Sequence, residues 1–118
     1  MSAVTPEPAT ASAQACLRVV PGFQADEADD VVGLLHANLD RRLSRFTADE
    51  VEMEISCKDR GTDHQRVTLE VWIRRGSEQR FVATAKGEVL RDLLLEVRDD
   101  MRRQINRALE RKEKRRTR

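Results

Sequence analysis

VEMEISCKDRGTDHQRVTLEVWIRRGSEQRFVATAK, residues 51–86, decides the fold, because its hydrophobic period is two. Successive side chains of a strand point to opposite faces. Val51, Met53, Ile55 and Cys57 therefore share one face, and Glu52, Glu54, Ser56 and Lys58 share the other. DRGTDHQ is a polar connection containing Gly61, long enough for a hairpin loop. RVTLEVWIRR repeats the alternation, with Val67, Leu69, Val71 and Ile73 inward and Arg66, Thr68, Glu70, Trp72 and Arg74 outward. A tight turn is expected near Gly76-Ser77, and RFVATAK supplies a third strand with Phe81, Ala83 and Ala85 inward. Short polar connections between one-sided strands imply an antiparallel meander.

Small residues at 83 and 85 let a helix lie close to this sheet, and a helix pattern follows them. Leu90, Leu93, Leu94, Val97, Met101, Ile105, Ala108 and Leu109 recur at three and four residues, with no Gly or Pro from 88 onward. That predicts a helix from about 88 to at least 110. On the N-terminal side, Ala28, Val31, Val32, Leu35, Leu39, Leu43 and Phe46 have the same spacing, with Asp26 as the expected N-cap. Residues 15–20, ACLRVV, read as a first strand, and Pro21-Gly22 as its turn. The order β-α-β-β-β-α predicts a two-layer α+β domain: a mainly antiparallel four-stranded sheet with two helices on one face and the other face wet. Residues 1–14, rich in Pro, Ala, Ser and Thr, read as a flexible N-terminal segment, 15–112 as the single domain and 113–118 as a basic tail.

The chain of 118 residues has room for one modest core. Its 22 Lys and Arg nearly balance 21 Asp and Glu, but not evenly along the chain. Residues 101–118 hold nine bases and two acids, a surplus of seven; with a total of +1, residues 1–100 carry −6. This is a localised electrostatic footprint, not a generally basic coat. No apolar run approaches the ~20 residues that span a bilayer, and the N-terminus lacks the pattern of a secretory signal. Cys16 and Cys57 form no disulfide framework, so a reduced cytoplasmic setting is the default.

Two features are candidate contact surfaces. The final helix carries Arg91, Arg98, Arg102, Arg103, Arg107 and Arg111 among Asp92, Glu96, Asp99 and Asp100. One reading is a salt-bridged solvent face, with Asp99–Arg103 and Glu110–Lys114 at the supportive spacing. The other is phosphate contact, where clustered positive charge gains from counterion release. Trp72, outward beside Arg66 and Arg74, can stack on a base, meet a protein partner or pack on its own sheet. Catalysis finds no support: His36 and His64 share no recognisable spacing with Cys16 or Cys57, Asp59 and Asp63 around Gly61 lack a calcium-loop pattern, and the glycines cradle no phosphate. No enzyme activity, metal or cofactor is expected.

LLHANLDRRLSRF, the strand region VEMEISCKDRG to TAKGEVLRDLL, and LLLEVRDDMRRQINRAL together resemble the ribosome hibernation-promoting and ribosome-associated inhibitor proteins, once called sigma-54 modulation proteins. The likeness covers roughly residues 15–112. It implies a β-α-β-β-β-α fold that seats on ribosomal RNA of the small ribosomal subunit, overlaps the messenger and transfer RNA sites and lowers translation under stress. The matching basic positions are Arg41, Arg42 and Arg45 on the first helix, Arg98, Arg102, Arg103, Arg107 and Arg111 on the last, and Lys86 just before it. No membrane partner is expected and DNA is not favoured; self-association stays open. Two alternatives compete. One is a double-stranded-RNA-binding module, whose basic cluster belongs at the start of the final helix and not, as here, at its far end. The other is a protein-interaction or dimerisation domain using the open sheet face around Trp72.

Overall fold

The computed structural model describes residues 10–19 and 22–116. Three strands form the expected meander: β2 (Val51–Lys58), β3 (Arg66–Arg75) and β4 (Ser77–Lys86). A short strand, β1 (Leu17–Val19), lies parallel to β2, giving the order β1-β2-β3-β4. Register keeps the apolar sets on one face: Val51 opposes Ile73, Ile55 opposes Leu69, and Leu69 opposes Ala83. One residue of slip would turn every one of these side chains to water, so one-sided burial pins the pairing. Gly76 makes the β3–β4 turn at φ 79°, where a side chain would be strained.

Two helices cover the apolar face: α2 (Ala28–Leu43) and α3 (Leu90–Arg116), after a one-turn α1 (Ala13–Cys16). The core is built from Val31, Leu35, Leu39 and Leu43 of α2, Leu93, Leu94, Val97, Met101 and Ile105 of α3, and the inner strand residues. Ala83 and Ala85 are buried under α3, as their size predicts, while Phe81 on the edge strand is only half-buried. Because β1, β2 and β4 point the same way, and α2 and α3 each return from one of them, the two helices run in the same direction. Their N-terminal ends share a cleft, and α3, with 27 residues against 16, runs on past the end of α2.

Several details depart from the sequence reading. Thr10–Gln14, placed in the flexible segment, pack onto the domain: Thr10 bridges Thr47, the Ala11 amide donates to the Phe46 carbonyl at 2.9 Å, and Ala11 and Ala13 are buried. Small side chains are what that narrow seam beside α2 admits, and Asp40 fixes it by accepting from the Ala13 amide at 2.7 Å. The first strand begins at Leu17 because Ser12 caps α1 across residues 13–16; Val20, Pro21 and residues 1–9 lie outside the described residues. Asp26 does not cap α2. A 3-10 turn, Ala25–Glu27, comes first, and the Glu27 carboxylate accepts from the Gln24 amide at 2.8 Å. The last helix passes the 112/113 boundary without a break.

Two arginine clasps tie loops to helix ends. Arg60, in the β2–β3 loop, pairs with Glu27, donates to the Gly22 carbonyl at 2.7 Å and lies over the Phe23 ring. At the other pole Arg75 pairs with Glu50 at 2.9 Å, donates to the Arg45 carbonyl and lies over Phe46. The Arg75 guanidinium and the Thr47 amide hold the Glu50 carboxyl at about 2, and Arg60 with the Gln24 amide does the same for Glu27. Both folded values lie below the ordinary 4.5, so this stabilisation is present above about pH 4.5 and is lost as pH falls toward 2. Glu50→Gln should accordingly melt below the wild type at pH 7, and the gap should close between pH 4.5 and 2 in thermal scans. A gap that persists at pH 2 would assign the loss to packing instead.

Candidate nucleic-acid interface

The helix layer divides the basic residues by flank. Asp40 marks the α1 side of α2 through its bond to Ala13, and the Leu34 carbonyl marks the α3 side by accepting from Arg98 Nη1 at 3.2 Å. Arg41 lies seven residues, or two turns, after Leu34 and so on the α3 side. Arg42 is half-buried, and Arg45 follows in the turn after α2. On α3, Arg102 comes one turn after Arg98 on the flank toward α2. Gln104 marks the opposite flank, donating to the Val82 carbonyl of β4 at 2.8 Å. Arg107 and Arg111 sit three and seven residues beyond Gln104 and go with that flank, joined by a bond from Arg111 Nε to the Arg107 carbonyl. Arg103 is exposed on the outer face.

The expected single group of helix arginines is thus two groups. Arg41, Arg42 and Arg45 lie at the end of α2, Arg102 and Arg103, midway along α3, lie alongside that end, and Arg107 and Arg111 turn toward the sheet edge. Among the described residues Arg41, Arg42, Arg102, Arg103 and Arg107 make no ion pair with a carboxylate. Arg102 Nε is buried without an acceptor there. The predicted Asp99–Arg103 pair is not formed, because Asp99 turns to Arg98; the side chain of Lys114 lies outside the described residues.

Arg98 has a structural task. It is 17% exposed and pairs with Asp99 at 3.0 Å while reaching the α2 backbone. A charged hydrogen bond of this kind contributes about 1.5–3 kcal/mol. Arg98→Met should lower stability by about 1–2 kcal/mol in urea. An unchanged urea midpoint would show that the bond to the Leu34 carbonyl adds nothing to stability.

Lys86 does not join the helix arginines. It ends β4 at the opposite pole, on the open sheet face, directly across from Arg66. Lys58 stands on the other side of Arg66, so three cations form a row across three strands. The sequence reading missed Lys58 in this role because the row exists only once register is fixed. It also missed Gln65, placed in a polar loop but 3% exposed, which donates to the Glu88 carbonyl and binds that loop to the start of α3.

The sheet-face candidates share the outer face of β3, spread along its length. Trp72 is half-buried between Glu52 and Arg80 on neighbouring strands, six residues or ~20 Å along the strand from Arg66. Arg74 is held by Glu52 and Glu78, both at 3.1 Å. Arg18–Glu54 and Arg80–Glu70 cover much of the remaining face. No helix among the described residues is long and apolar enough to cross a membrane. No protein-family model matches the chain, and no curated protein matches it.

Proposed function

We propose that the domain binds the small ribosomal subunit through its ribosomal RNA and excludes messenger and transfer RNA by its folded bulk. The observation that carries this reading is the common direction of α2 and α3, which sets Arg102 and Arg103, midway along α3, beside the end of α2 that carries Arg41, Arg42 and Arg45. A guanidinium presents a planar fork to phosphate oxygens, and several beside the seam of a rigid two-helix layer fit a folded RNA surface better than a straight duplex. Phosphate contact positions such a protein, and the shape of the RNA groove selects the site. The choice of the small ribosomal subunit rests on the resemblance across residues 15–112. Occlusion needs no bond chemistry, so affinity and bulk are the whole mechanism.

The placement of charge favours this reading over a double-stranded-RNA module, because the start of α3 shares a cleft with the acids Glu27, Asp29 and Asp30. Dimerisation through the open face gains little support from a surface laced with ion pairs around a half-buried Trp72. Gradient co-sedimentation of the tagged chain from growing and starved cells, at low and high salt, tests the proposal. Co-migration with the small subunit or the monosome that fades at high salt is the expected result. Migration only at the top of the gradient under every condition would overturn it.

A further inference from the structure

The open sheet face pairs its other arginines: Arg18 with Glu54, Arg74 with Glu52 and Glu78, and Arg80 with Glu70. The exception is the row Lys58, Arg66 and Lys86. Lys58 opposes Arg66 on β2 and β3, and Arg66 opposes Lys86 on β3 and β4. Like charges directly opposite one another destabilise a sheet. None of the three makes an ion pair among the described residues, although Asp59 and Asp63 border the same cleft. Asp63 is beside His64 at 3.5 Å, and Asp59 is held in a turn with φ 56°. The cations thus repel each other where the sheet holds them, and Asp59 and Asp63, though in the same cleft, form no ion pair with them among the described residues.

The setting is built to receive an anion. The next row along the strands, Ser56, Thr68 and Thr84, offers hydroxyl donors, with the two threonine oxygens 3.5 Å apart. The cations border a cleft of about 470 Å³, whose loop wall is secured by the buried Gln65. Neighbouring strands are ~4.8 Å apart, so the row spans roughly 10 Å, wide enough to grip more than one phosphate group. A phosphate oxyanion accepts from guanidinium, ammonium and hydroxyl donors together.

We propose that Lys58, Arg66 and Lys86 form a second anion site, at the pole opposite the helix arginines, which takes adjacent phosphate groups. The same chemistry is available from a free polyphosphate and from consecutive phosphodiesters of a nucleic-acid strand. It does not depend on the ribosomal reading, which uses the other pole.

The test titrates the full chain with tripolyphosphate and, separately, with a short single-stranded RNA, following backbone amide shifts and the melting temperature. Tripolyphosphate should shift the amides of Lys58, Arg66 and Lys86 saturably and raise the melting temperature. Arg66→Gln/Lys86→Gln should weaken that binding at least tenfold, yet melt no lower than the wild type without ligand, because repulsion has been removed. Lys58→Gln should weaken it in the same direction and serves if the double variant folds poorly. Arg41→Glu/Arg103→Glu should leave it unchanged, which separates this site from the helix arginines. Shifts produced at the row by RNA alone would assign the phosphate to a nucleic-acid strand and keep the site. No shift at the row with either probe, or undiminished tripolyphosphate binding by the double variant, would overturn it.

Discussion

Arg41→Glu combined with Arg103→Glu should weaken binding to the small ribosomal subunit by at least about tenfold and lower the slope of log affinity against log salt by about two. Both side chains are exposed and without ion pairs among the described residues, so the fold should survive the change. Each reversal removes a cation from the surface beside the end of α2 and adds an anion that repels phosphate. Arg107→Glu/Arg111→Glu makes the same formal change on the flank facing β4. A smaller loss from that pair would orient the RNA over the α2–α3 seam, and a larger one would move it to the sheet edge. An unchanged slope in both pairs would show that the helix arginines do not meet phosphate at all. Circular dichroism of each variant separates lost binding from lost folding.

Leu69→Ala should have the largest effect on stability. Leu69 is fully buried in β3, one of the two central strands, with Ile55 on one side and Ala83 on the other. Truncating a buried leucine costs about 2–5 kcal/mol, depending on how far the site collapses. Here collapse is limited, because Ala83 is already small and the strands are held in register by their backbone ladders. The upper part of that range is expected, which lowers the melting temperature by roughly 10–20 °C for a domain of this size. Leu109→Ala, at a half-buried site on the last covered turn of α3, should cost clearly less. Equal losses at the two positions would mean that the core is not centred between α3 and the middle strands.

The layers were legible in the sequence because burial is one-sided. Val51 to Cys57 and Val67 to Ile73 declare their inner face by alternation, and Val31 to Leu43 and Leu93 to Ile105 declare theirs by helical spacing. What stayed hidden depends on partners far away along the chain. Arg98 looked like a surface cation, and its bond to the Leu34 carbonyl, 64 residues distant, is what ties it to α2. Lys86 looked like a neighbour of the helix arginines because it precedes α3, yet that helix starts at the pole opposite to the one where its basic end lies. Residues 10–14 read as a loose leader from composition, since alanine and serine carry no periodic signal. Their burial comes from the close fit of small side chains beside α2, a matter of shape that hydrophobicity does not encode.

The seam formed by Thr10 and Thr47 has a practical bearing on how the protein is handled. It brings the incoming chain, at Thr10, to the turn that follows α2, close after Arg45. A purification handle or fluorophore joined directly ahead of Thr10 thereby enters on the side of the domain proposed to meet RNA. Cleavable handles, or a label carried on the β2–β3 loop around Gly61 at the far pole, keep that approach clear for ribosome measurements, whereas anion titrations call for the opposite choice.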